Sequence, residues 1–107
     1  MHIAIVQIPG ISRTKEKAIA DAETTIAKFS KVKGLLRKYY LNGEAGGGGV
    51  YIWESKEAAD AWYTQEWVDA NVKRFGTKPT LTRYDNYVRL DNENRKVYLD
   101  NIAQDIG

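Results

Sequence analysis

The chain has no cysteine, one histidine and two prolines among its 107 residues. The missing cysteine excludes a disulfide framework, thiol catalysis and thiolate-bound zinc, and it fits a reducing, cytoplasmic setting. The one histidine, His2, stands at the chain start, so neither a Ser–His triad nor a three-ligand catalytic zinc site can be assembled from the sequence. No apolar run approaches the roughly 18 residues of a membrane span, and no membrane partner is expected. Charge of one sign is scarce as well. Sixteen basic against 14 acidic side chains leave +2, too little to imply nucleic acid on its own. The opening "MHIAIVQIPG" lacks a basic stretch and reads as structure rather than as a secretory signal.

What is present is an ordinary globular composition, 43% hydrophobic and 28% charged, at a length that suggests one domain. "HIAIVQI" (2–8) is β-branched, ends at Pro9-Gly10 and is apolar on both faces, which predicts a central strand covered twice. Ser12 or Thr14 can cap a helix over 14–31, with Ala18, Ile19, Ala22, Ile26 and Phe29 at helical spacing. "GLLRKYYLN" (34–42) and "VYIWE" (50–54) read as a second and a third strand. Ser55 caps a second helix running to Phe75, with Gly76 as its stop. Pro79 precedes a fourth strand, "TLTRYDNYVRL" (80–90). The polar remainder, 91–107, reads as a tail: a helix, or an arm laid on a neighbour.

The order β-α-β-β-α-β predicts the α+β, ferredoxin-like arrangement: a four-stranded antiparallel sheet with two helices on one face. Residues 1–90 form this domain. The other face is rich in Leu, Val, Ile, Tyr and Trp and exceeds what a monomer usually exposes. A second copy related by a two-fold axis would cover it, making a homodimer.

Four consecutive glycines, Gly46 to Gly49, raise the question of a phosphate loop. Such a loop leads into a helix, and its Walker form adds Lys-Ser/Thr. Here the glycines lead into Val50-Tyr51-Ile52-Trp53, a strand, so no nucleotide cofactor is expected. A hairpin with its turn at Asn42-Gly43 accounts for them, with the extra glycines marking a bulge or a group close to the backbone. "DNENRK" (91–96) is no calcium loop, because Lys96 stands where Gly is needed and Ile102 where Glu is needed. No metal is expected either.

Seven tyrosines and three tryptophans carry the remaining signal. Tyr39, Tyr40, Tyr51 and Trp53 fall on adjacent strands; Trp62, Tyr63 and Trp67 fall on the second helix. Such side chains suit a pocket for a flat, partly polar molecule, and equally a dimer core. Arg37 and Arg83 either stabilise an anionic substrate or form surface ion pairs. The acids of 54–69 and the basic residues of 13–38 read as solvated faces with weak pairing.

The block "GLLRKYYLN…EAGGGGVYIWESKEAADAWY" resembles the YdhR-like monooxygenases of the dimeric α/β-barrel superfamily. The matching features are a Gly-apolar-apolar strand, Ala-Gly-Gly before an aliphatic-aromatic strand, and a Ser-Lys-Glu-Ala helix start. The resemblance implies a homodimeric α/β barrel and a cofactor-independent monooxygenase acting on a small phenol- or quinol-like aromatic. It implies that Trp62, Arg83 and Asp85 are catalytic and that Tyr39, Tyr51, Trp53, Trp67 and Arg37 bind substrate. The proton acceptor stays open between Asp85, Glu54 and a water. Helix 2 has no histidine, so haem degradation, known in related barrels, is not expected. The competing reading is a non-catalytic ligand-binding or stress-associated dimer on the same scaffold. RNA binding would need an aromatic on the first strand, which "HIAIVQI" lacks.

Overall fold

A computed structural model describes residues 1–10 and 12–107. Strand β1 (His2–Pro9) is followed by helices α1 (Lys15–Glu23) and α2 (Ile26–Phe29), then strands β2 (Leu35–Gly43) and β3 (Gly46–Trp53). Helices α3 (Lys56–Trp62) and α4 (Gln65–Phe75) lead to β4 (Thr80–Asp85). The strands form one antiparallel sheet in the order β2-β3-β1-β4. Sheet, layers and element order agree with the ferredoxin-like expectation at that coarse level.

Each expected helix is divided. Thr14 caps α1 by accepting from the Lys17 amide, but the helix stops at Thr24-Thr25. Both hydroxyls there hydrogen-bond back to carbonyls three residues earlier, competing with helical continuation. Ser55 caps α3 through the Ala58 amide. Thr64 then caps α4 through Trp67, so the expected run to Phe75 breaks at Tyr63-Thr64. Gly76, left-handed at φ 74°, ends α4.

Strand alternation builds the core. Ala4, Val6, Ile8, Tyr51 and Trp53 point to the helices and pack with Ala59 of α3. Phe29, Trp62, Tyr63, Trp67 and Phe75 close over them. The opposite face carries Ile3, Ile5, Val50 and Ile52, half-buried, with the more exposed Tyr39 and Tyr84 beside them. No helix among the described residues covers this face.

Three further expectations are corrected. The turn between β2 and β3 is Glu44-Ala45, not Asn42-Gly43, and β3 begins at Gly46. The glycines lie inside the strand because β1 runs against them. At Gly48 (φ 141°) a Cβ would sit 1.9 Å from the Val6 carbonyl oxygen, and at Gly46 (φ 138°) 2.2 Å from that of Ile8. The close group is the neighbouring backbone. Strand β4 also ends at Asp85, not at residue 90. Asn86-Tyr87 leads into a separate three-stranded meander of β5 (Val88–Asp91), β6 (Lys96–Leu99) and β7 (Ile102–Asp105). The tail is therefore not a helix. Left-handed Asp100 and Asn101 form the β6–β7 turn, as short polar side chains tolerate.

Candidate functional site

The helix-covered side holds a cavity of about 430 Å³ between β2, β3 and the helices. Its floor is sheet: Val6, Lys38, Tyr40 and Tyr51. Its walls are helical: Phe29 and Lys28 of α2, Trp62 of α3, and Trp67, Asn71 and Arg74 of α4. The volume falls in the range that takes a small organic ligand.

The aromatic groups are locked against one another. Phe29 meets Tyr40, Tyr51 and Trp62 edge-on at centroid distances of 6.4, 5.9 and 5.6 Å. Tyr63 stands edge-on to Trp67 at 4.9 Å and accepts a hydrogen bond from the Trp53 indole. Edge-to-face packing of this kind adds to the stability of the area buried. Burial pushes the phenols of Tyr51 and Tyr63 well above the usual tyrosine range, so both stay protonated.

Within this apolar surface sits an amine. Lys38 Nζ lies 3.4 Å from the Phe29 ring centroid, 4.0 Å from that of Tyr40 and 4.8 Å from that of Tyr51. Burial first, then the charges of Lys28 and Arg74, push its amine down to about 7. No hydrogen bond or ion pair to a described residue offsets this. The ring faces are the contacts that its ammonium form keeps. Gly49 makes the room: a Cβ there would meet the Tyr51 ring at 3.0 Å and Lys38 Cε at 3.3 Å. The Trp62 indole N–H is likewise buried without an acceptor among the described residues.

At the rim, Arg13 pairs with Asp21 at 2.9 Å, and Lys17 reaches the same carboxylate at 3.0 Å. Hydrogen bonds from Arg13 and then Lys17 hold the Asp21 carboxyl below its ordinary value. Asn42 ties the segment before α1 to β2 by exchanging two hydrogen bonds with the Arg13 backbone.

The residues singled out from sequence fall in four places. Tyr51, Trp62 and Trp67 line the cavity. Trp53 is fully buried in the core beside it. Arg83 and Asp85 meet at His2: the guanidinium Nε donates to His2 Nε2 at 3.0 Å, so the ring proton lies on Nδ1 and is donated to Asp85, also at 3.0 Å. Arg83 further binds Asp60 at 2.6 Å. Arg37 and Tyr39 lie on the opposite sheet face, in a second hollow of about 410 Å³, with a 3.0 Å hydrogen bond between them.

Lys28, Lys38, Asn71 and Arg74 were not singled out by sequence reasoning. A usable signal existed for Lys38: it lies one residue from Tyr39 on a strand opposite the aromatic-aliphatic run of β3. A bulge between Leu35 and Arg37 shifts the register, however, so Lys38 and Tyr40 face the helices while Arg37 and Tyr39 face away. Among the described residues no three histidine, aspartate or glutamate side chains gather closely enough to hold a metal ion. No helix among them is long and apolar enough to cross a membrane. Neither a scan of protein-family models nor a search of curated proteins returns a match.

Proposed function

We propose that the chain is a cofactor-independent monooxygenase that oxidises a flat phenol- or quinol-like molecule in the helix-side cavity. The observation that carries this reading is the combination of aromatic walls (Phe29, Trp62, Trp67) with cationic groups (Lys28, Lys38, Arg74) around one hollow. An electron-rich ring anion can itself reduce dioxygen. Its phenol O–H loses a proton, the anion gives one electron to dioxygen, and the resulting radical pair joins at a ring carbon. Loss of water then leaves a quinone. One oxygen atom is retained as a ring C=O and the other leaves as water, with the ring C–H and O–H supplying the hydrogens. The protein's part is to hold the ring, favour its anion and exclude water.

The dimer belongs to the same reading. Ile3, Ile5, Val50 and Ile52 line a sheet face without helices, flanked by Leu36 (55% exposed) and Tyr84 (54%). The β5–β7 meander leaves Tyr87, Val88, Leu90 and Ile102 at least 60% exposed. A three-stranded sheet needs a covered apolar face to be stable, and a second copy supplies one for both surfaces, closing the pair of sheets into an α/β barrel.

The test is oxygen uptake with a panel of quinols and anthrone-like phenols, without added flavin or metal. The reading expects consumption with quinone formation, lost on Trp62→Ala with folding intact. Ligand binding without oxygen uptake would instead assign the cavity to binding alone, and no binding by any member would end both readings.

A further inference from the structure

The geometry points to Lys38 as the proton acceptor of the cavity: its amine takes the phenolic proton of the bound ring and then holds the phenolate as an ion pair. This inference rests on the reading of the cavity as a site for phenols. In the step the substrate O–H bond breaks, its electron pair stays on oxygen, and the Nζ lone pair forms the new N–H bond. No co-reactant is needed.

The other candidates are engaged, solvent-exposed or absent from the cavity. Asp85 accepts from His2, outside the lining. Glu54, too, is not among the lining residues. Asp21 on α1 lines the rim but is bound by Arg13 and Lys17. Glu66 also lines the cavity, but it stands in the first turn of α4 with its side chain open to solvent and outside the group of rings around Lys38. Tyr51 on β3 keeps its proton, and the Tyr40 hydroxyl is 2.9 Å from Thr25 Oγ1. That leaves three cations from three elements, Lys38 on β2, Lys28 on α2 and Arg74 on α4.

Of these, Lys38 alone is caged by three rings, and with its amine pushed down to about 7 by burial it can act both as amine and as ammonium. Burial, helped by the charges of Lys28 and Arg74, holds it there, and those two cations then share the phenolate charge. An acceptor matched to the working pH is what proton transfer favours. The cage also sets the substrate class. A strong acid arrives already ionised and gains nothing from Lys38, while an alcohol is too weak an acid to give its proton up. A phenol lies between them.

The probe is 7-hydroxycoumarin, a flat phenol whose neutral and anionic forms absorb at separate wavelengths. At neutral pH the free probe is mostly neutral. Bound to the wild-type protein it should show the phenolate band, and bound to Lys38→Met it should show the neutral band, a fall of at least tenfold in the phenolate fraction with affinity changed far less. A neutral probe in the wild type, or a phenolate band that survives Lys38→Met, overturns the assignment while leaving the cavity in place. Failure of the probe to bind at all removes the cavity reading beneath it.

A second measurement needs no variant. Trinitrobenzenesulfonate at neutral pH, read by peptide mass spectrometry, should label Lys38 at least tenfold faster than the surface lysines, and prior addition of the probe should protect it. Labelling at the surface rate, or no protection, contradicts the assignment.

Discussion

The two faces of the β2-β3-β1-β4 sheet are made by the same four strands, yet they differ in almost every property that bears on function. Toward the helices lie Ala4, Val6, Tyr51 and Trp53, none more than 6% exposed, and above them a cavity with a caged lysine. Away from the helices lie Ile3, Ile5, Val50 and Ile52, equally apolar but incompletely covered. Hydrophobicity alone does not separate the faces. What separates them is what stands opposite: helices that leave a hollow on one side, and on the other a face that no helix among the described residues covers.

Adjacent residues sharpen this contrast. Trp53 and Ile52 point in opposite directions from one strand. Trp53→Ala empties a fully buried site and should lower unfolding free energy by about 4 kcal/mol, measured by urea denaturation. Ile52→Ala should cost a single chain only about 1 kcal/mol, while weakening self-association at least tenfold in sedimentation velocity. Equal effects on both measurements would erase the distinction. Gly48→Ala comes next. Its Cβ has no space against β1 and its φ is unfavourable, so a loss of about 3 kcal/mol is expected, with both faces damaged alike.

The next effect has the opposite sign. The folded-state value of the Lys38 amine, about 7, lies below its ordinary 10.5. Between these two pH values the unfolded chain binds more protons, so Lys38 destabilises the fold, fully below about pH 7 and not at all above about pH 10.5. Lys38→Met should therefore gain on the order of 2 kcal/mol at slightly acidic pH, less than the full shift implies because water reaches the cavity. The gain should fade as pH rises toward 10.5, which thermal melts across that range will show. Stability gained with function lost is the expected signature of a working group in an apolar site. Smallest is Arg37→Ala on the open face. It should change stability by less than about 0.5 kcal/mol and leave 7-hydroxycoumarin affinity unchanged.

The sheet itself was legible in sequence because its signals are local. β-branched runs, Ser55 and Gly76 each state their own structure, and the strand order follows from handed crossovers. The helix breaks at Thr24-Thr25 and Tyr63-Thr64 were masked, because apolar spacing continues through them while side-chain capping decides. The β5–β7 meander was hidden by polar composition and by turns carried on Arg95, Asp100 and Asn101 rather than glycine. The site was half legible. Aromatic residue types pointed to Tyr51, Trp62 and Trp67. Lys38 sat within a basic run that reads as solvated, and the bulge at Leu36 turns Arg37 and Tyr39, which the resemblance had implied as substrate-binding, away from the helix-side cavity. One extra residue in a strand exchanges its two faces, and no propensity records it.

Backbone amide and indole shift mapping by NMR, with 7-hydroxycoumarin titrated into the wild-type protein, tests the division of labour most directly. Perturbations concentrated at Lys38, Gly49, Trp62, Trp67 and Asn71, with Ile3, Tyr39 and Ile52 unmoved, are the predicted result. Perturbations confined to Ile3, Tyr39 and Ile52 would place the ligand on the open face and contradict the account.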